Sequence, residues 1–164
     1  MRILGVDPGT AIVGIGLIDL EGSQYKIVDF GCIRTSAKDS DAERLHQIFI
    51  GMHEIISDFK PHCLAVEELF FNKNTKTALS VGQARGVILL SGMEQNLPVF
   101  EYTPLQVKQA IVGYGRAEKK QVQEMVKVLL KLKERPTPDD AADALAVAIC
   151  HAHSKNLHEL FSKK

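Results

Sequence analysis

Apolar positions along the chain change period several times, and each change marks an element. Residues 2–7 are an apolar run rich in branched side chains, halted by Pro8-Gly9, and they read as a buried strand. Residues 12–18 form a second such run. Residues 25–35 form a third, with Glu21-Gly22-Ser23-Gln24 as the hairpin turn between them. Across residues 42–59 the spacing becomes helical, through Leu45, Ile48, Phe49, Met52, Ile55 and Ile56, and Pro61 ends that element. A fourth strand follows at 63–67, then a polar loop around Asn72-Lys73-Asn74 and a long helix over about 75–96. A fifth strand is expected at 99–102, with helices at 104–112 and 119–130 and a last one opening near Pro138. Three strands in a meander followed by alternating helix and strand imply an α/β fold, a five-stranded mixed sheet flanked by helices.

Four acids interrupt this pattern where the apolar residues around them would otherwise be core. Asp7 ends the first strand and Glu67 the fourth, so two strands deliver carboxylates to one edge. Thr137-Pro138-Asp139-Asp140 opens the last helix, with a cap candidate, proline at the first helical position and acids in the first turn. Asp140 and Asp143 then stand three apart on neighbouring faces. Taken singly, Asp7 also suits a turn before Pro8-Gly9, Glu67 with Glu68 a solvated strand end, and Asp139-Asp140 a favourable helix start. Asp143 is different: it lies within Ala141-Ala142-Asp143-Ala144-Leu145-Ala146-Val147, a stretch so apolar that a lone acid there requires a partner. Carboxylates this close raise each other's pKa unless hard cations neutralise them, and magnesium or manganese fits an all-oxygen donor set.

Composition bounds what else the chain can be. With 164 residues and 45% hydrophobic content, it supports one substantial core and a single domain, with a frayed lysine-rich tail after Leu160. Its longest apolar runs fall far short of a membrane span and no signal-peptide pattern opens it, so a cytoplasmic protein with no membrane partner is expected. Cys32, Cys63 and Cys150 are odd in number and sit in apolar stretches, which suits core residues in a reducing compartment. Cys150-His151-Ala152-His153 lacks the second Cys/His cluster that a zinc site needs. The chain holds 20 basic and 20 acidic residues, but residues 71–135 carry 11 of the former and 5 of the latter, leaving 9 and 15 elsewhere. A +6 region beside an acidic site is a footprint for a polyanion.

Acids at two adjacent strand ends and on a helix crossing them converge in an RNase H-like arrangement, in which metal ions flank a scissile phosphate. Hydrolysis of a phosphodiester is the reaction such a site implies.

Several motifs narrow this further. Gly5-Val6-Asp7-Pro8-Gly9-Thr10, Ala65-Val66-Glu67-Glu68-Leu69-Phe70, Gly82-Gln83-Ala84-Arg85-Gly86, Val99-Phe100-Glu101-Tyr102, Gln106-Val107-Lys108-Gln109 and Asp140-Ala141-Ala142-Asp143-Ala144-Leu145-Ala146 occur in that order across nearly the whole chain. Together they resemble the RuvC family of Holliday junction resolvases. The resemblance implies a homodimeric, magnesium-dependent endonuclease with two metal ions per site, for which manganese can substitute. Its substrate is a four-way DNA junction, nicked on two opposed strands in homologous recombination and DNA repair, in partnership with a branch-migration helicase. By position, Asp7, Glu67, Asp140 and Asp143 match the family's catalytic and metal-binding acids, with Glu68 and Asp139 as close neighbours. Lys108 and Lys119 match DNA-binding residues, Lys120 standing beside the second. Phe70 matches an aromatic that contacts a base, and Phe71 follows it.

Two other function classes share some of these features. The Asp7-Pro8-Gly9-Thr10 turn also resembles the first phosphate-binding turn of actin-like ATPases and sugar kinases, but those duplicate the domain and this chain has one such turn. A DNA-binding protein without catalysis would gain nothing from four acids facing phosphate. Paired cuts need two sites, hence a two-fold dimer. The helix over 75–96 is the candidate interface: Ala78, Gly82 and Gly86 make a small-residue ridge, with Val87, Leu89, Leu90 and Met93 beside it. The same ridge would equally serve packing against the chain's own sheet.

Overall fold

The computed structural model describes residues 1–69 and 75–162; Phe70, Phe71 and the Asn72-Lys73-Asn74 loop lie outside the described residues. Ten elements follow in chain order: β1 (Arg2–Asp7), β2 (Ile12–Glu21), β3 (Gln24–Arg34), α1 (Asp41–Phe59), β4 (Cys63–Glu67), α2 (Thr75–Glu94), β5 (Val99–Tyr102), α3 (Pro104–Val112), α4 (Lys119–Leu129) and α5 (Asp139–Ser162). The strands form one sheet in the order β3-β2-β1-β4-β5. β1, β2 and β3 are antiparallel neighbours, whereas β4 runs parallel to β1 and β5 parallel to β4. This is the mixed, RNase H-like sheet that the strand pattern predicts.

Strand alternation divides the core into two layers. Leu4, Val6, Ile15, Leu17, Leu64 and Val66 share one layer with Ile48, Met52 and Ile56 of α1 and Ala84 and Ile88 of α2. On the opposite face Ile3, Ile18, Cys63 and Ala65 meet Leu145 and Ile149 of α5, with Val107, Ile111, Val122 and Val126 from α3 and α4 closing the layer. Each large apolar side chain so buried stabilises the fold by roughly 1.5–3 kcal/mol relative to exposure.

Element ends differ from expectation for local reasons. β2 continues past Ile18 to Glu21, because Asp19 is held in the strand by the Arg2 opposite it, whose Nε and Nη2 donate to its two carboxylate oxygens at 3.0 Å each. α1 starts at Asp41 since Ser40 caps it: the Ser40 hydroxyl accepts the Glu43 N–H and the Glu43 carboxylate accepts the Ser40 N–H. α2 stops at Glu94, where Asn96 turns left-handed with φ 57° and its N–H donates to the Met93 carbonyl. α5 begins at Asp139, one residue later than read from the sequence. The Pro138 carbonyl accepts from the Ala141 and Ala142 N–H groups, so Pro138 sits at the cap and not at the first helical position. Among the described residues no helix is long and apolar enough to cross a membrane.

Candidate active site

The register of β1 against β4 decides where the first two acids go. Val6 pairs with Val66 in parallel, so Asp7 and Glu67 leave the sheet side by side at the same edge. Alternation from Ile3 and from Cys63 and Ala65 turns both toward the face that α5 covers.

α5 lies across β1 and β2, and it lies unusually close. A β-carbon on Gly5 would stand 2.2 Å from the Ala144 carbonyl oxygen, and one on Gly14 would stand 2.0 Å from that of Asp140. Only glycine permits this approach of helix backbone to sheet backbone. Gly14 is also the β2 partner of Asp7, so the contact that seats the first turn of α5 sets Asp140 beside the end of β1. Alanines at 141, 144 and 148 complete the fit from the helix side, and all are fully buried.

Burial and mutual repulsion raise the carboxyls that converge here. The Asp7 carboxyl is pushed up to about 8, first by burial and then by Glu67, Asp143 and Asp140, with Lys119 opposing. Burial and then Asp143 push Glu67 up to about 7, against a hydrogen bond with Asp7 and the charges of Lys108 and Lys119. Asp143 is also raised, by burial above all, although Lys119 pulls it back. Lys119 opens α4 and places Nζ 2.7 Å from Asp143 Oδ2 and 3.7 Å from Asp139 Oδ2. Burial works against its charge, but the hydrogen bond and the attraction of Asp143, with Asp139 and Asp7, outweigh it and raise its pKa. One lysine thus faces a group of carboxyls that resist ionising together.

Such a donor set suits a hard divalent cation. Among the described residues no three His, Cys, Asp or Glu side chains are spaced to enclose an ion by themselves. Mg²⁺ takes one or two carboxylates and fills its shell with water and phosphate oxygens. Beside Glu67 and Asp143 a cavity of about 220 Å³ is lined by Lys108 and Lys119, leaving room for an anion. The structure therefore brings together Asp7, Glu67, Asp140, Asp143, Lys108 and Lys119. It is Lys119, not Lys120, that reaches Asp143. Phe70 falls outside the described residues.

His151 Nδ1 lies 2.7 Å from the Tyr102 hydroxyl, and burial and then Lys155 depress its pKa to about 4. Sequence reasoning places Cys32 among the core residues, but it is only half-buried, pairing with Gly14 across β2 and β3. Its thiol is pushed up by burial and next by Asp140, at the margin of the site. Sequence reasoning missed Gly5 and Gly14 as the seats of α5.

Comparison with known proteins fits this geometry. The family model for crossover junction endodeoxyribonuclease RuvC matches residues 3–151. The chain belongs to the RuvC family. It is 55% identical over 164 residues to the crossover junction endodeoxyribonuclease RuvC of Alkaliphilus metalliredigens, covering 100% of both chains. To the RuvC of Heliobacterium modesticaldum it is 61% identical over 154 residues, covering 94% of this chain and 95% of the relative. Thermus thermophilus RuvC, solved in complex with a Holliday junction substrate, superposes with a TM-score of 0.92 at 37% identity over 96% of each chain. As a RuvC-family protein, the chain is a crossover junction endodeoxyribonuclease, and its substrate class is junction DNA.

Proposed function

We propose that the protein is a single nuclease domain that resolves four-way DNA junctions by paired symmetric nicks, hydrolysing one phosphodiester at each of two Asp7-Glu67-Asp140-Asp143 clusters. The observation that carries this reading is the seating of α5 on Gly14, which gathers four acids at one sheet edge where burial makes their joint ionisation costly without cations. Asp7, Glu67, Asp140 and Asp143 would hold two Mg²⁺ ions, or Mn²⁺ in their place. When bound, the cations lower the pKa of the attacking water and stabilise the leaving oxygen.

The chain's own residues orient the reactants. Lys119 fixes Asp143 through its 2.7 Å contact, and with Lys108 it offers positive charge to a phosphate entering the cavity beside Glu67. Phe70 stacks on a base at the junction centre, an interaction worth about 1–3 kcal/mol. Two opposed cuts require two clusters related by a two-fold axis, so the protein acts as a homodimer. A stripe on α2 supports that: Leu79, Leu90 and Met93 are 68%, 54% and 62% exposed, and a β-carbon on Gly86 would meet nothing within 4 Å. Gly86 is thus open to a second copy, whereas a β-carbon on Gly82 would already touch Leu69 and Ala84, Ile88 and Ser91 pack inward. The protein works in the cytoplasm with the branch-migration helicase of recombination and repair.

Asp7→Asn tests the assignment. The variant is expected to bind a synthetic four-way junction as the natural chain does and to lose nearly all metal-dependent nicking, because an amide replaces a carboxylate ligand poorly. Substantial nicking under matched metal would sink the role of Asp7.

A further inference from the structure

A second groove flanks the acids on the side away from Lys108 and Lys119. It measures about 530 Å³ and is lined by Gly9, Thr10, Arg44, Ser80 and Asp140 among others. Arg44 is built into its wall. Its Nε donates to Thr35 Oγ1 at 2.9 Å, and that hydroxyl donates to the Thr10 carbonyl at 2.6 Å, so one edge of the guanidinium is pinned to the turn that follows Asp7. Among the described residues Nη1 and Nη2 have no hydrogen-bond or ion-pair partner, and Asp140, though it lines the same groove, forms no ion pair with Arg44. A planar fork held by one edge, with its other donors free, suits bidentate contact with a phosphate.

The placement gives that contact a purpose. A DNA strand crossing four carboxylates is repelled unless cations hold its phosphates on both flanks. Lys108 and Lys119 serve the Glu67 and Asp143 flank; the Asp140 flank has Arg44.

We propose that Arg44 binds a backbone phosphate of the junction strand adjacent to the scissile one, on the Asp140 side of the site. This rests on the reading of the acids as the cutting site, and Arg44 acts as a DNA-binding and positioning residue, not as part of the chemistry.

The test is the salt dependence of binding to a synthetic four-way junction without added metal, read by fluorescence anisotropy for the natural chain, Arg44→Gln, Arg44→Lys and Thr35→Val. A lost phosphate contact lowers the slope of log affinity against log salt by about 1 for each arginine removed. Arg44→Gln is expected to show that loss and about tenfold weaker binding at low salt. Arg44→Lys, which keeps the charge, and Thr35→Val, which loosens the pin and leaves the arginine, are expected to retain the slope. An unchanged slope in Arg44→Gln, or an equal affinity loss in Thr35→Val, would overturn the proposal by reducing Arg44 to a latch for the turn. If circular dichroism shows Arg44→Gln unfolded, Ser80→Asp replaces it: a negative charge set in the groove with Arg44 in place must weaken binding about tenfold, and unchanged binding refutes the subsite. Absence of junction binding by the natural chain, or nicking that survives Asp7→Asn, would instead strike the underlying reading.

Discussion

Replacing Gly14 with alanine tests how the site is assembled without touching any acid. The new β-carbon would lie 2.0 Å from the Asp140 carbonyl oxygen and 3.2 Å from the Asp140 β-carbon. Non-bonded β-carbons do not approach backbone oxygen nearer than about 3 Å, so α5 and the sheet must part by about 1 Å at this point. Neither side can yield cheaply, since Ala141, Ala142 and Ala144 are fully buried against the sheet. Overpacking of this kind costs about 1–3 kcal/mol, partly offset by about 0.5–1 kcal/mol gained in replacing a strand glycine. For a chain of this size the net loss of up to about 2.5 kcal/mol lowers the Tm by at most about 10 °C. The effect on cutting is expected to be larger, because Asp140 moves relative to Asp7 and a displacement of about 1 Å at a reacting centre costs about 100-fold in rate. Thermal melting and single-turnover cleavage of a labelled four-way junction, at saturating protein, would separate the two effects. A Gly14→Ala variant that melts and cuts like the natural chain would refute the claim that this contact positions the acids.

Two further outcomes follow from the same geometry. Asp7 and Glu67 hold their protons more tightly folded than unfolded, so their contribution to stability is complete below the ordinary carboxylate range near pH 4 and is lost as pH rises through about 7 and 8. At about 1.4 kcal/mol per pKa unit, metal-free protein should lose several kcal/mol between pH 5 and 9, and Mg²⁺ should restore most of it at the alkaline end; denaturant titrations in EDTA and in Mg²⁺ check this, and a metal-free stability flat across that range contradicts it. On α2, Leu90→Glu puts a charge in the middle of the exposed apolar stripe and is expected to leave a folded monomer that binds junctions weakly and makes no paired cuts. Sedimentation equilibrium at micromolar concentration decides, and an unchanged dimer would move the interface elsewhere.

The features that could be read from the chain alone are those in which local pattern and tertiary role agree. Arg2–Asp7 and Cys63–Glu67 announce themselves as buried strands that stop on an acid, and the pairing of Val6 with Val66 brings those acids together as the pattern implies. Asp143 stood out because nothing apolar around it could satisfy a carboxylate, and its partner proves to be Lys119. What escaped notice depends on contacts between distant segments. Gly5 and Gly14 look like ordinary strand glycines until the backbone of α5 is laid against them. The second apolar run stops at Ile18, and only the pairing of Asp19 with Arg2 on the neighbouring strand carries β2 on to Glu21. Arg44 reads as one more polar position on an amphipathic helix, and only the Thr35 and Thr10 contacts turn it toward the acids' groove.

The central claim is that one carboxylate cluster per chain, doubled by a two-fold axis, cuts a four-way junction on opposed strands. A synthetic junction with each of its four strands labelled in turn, incubated with the protein with and without Mg²⁺ and resolved on a denaturing gel, tests it directly. The account predicts nicks at symmetric positions in two opposed strands, dependent on the metal, with little cutting of linear duplex of the same sequence. Cutting of a single strand only, equal cutting of the linear duplex, or full activity in EDTA would contradict it.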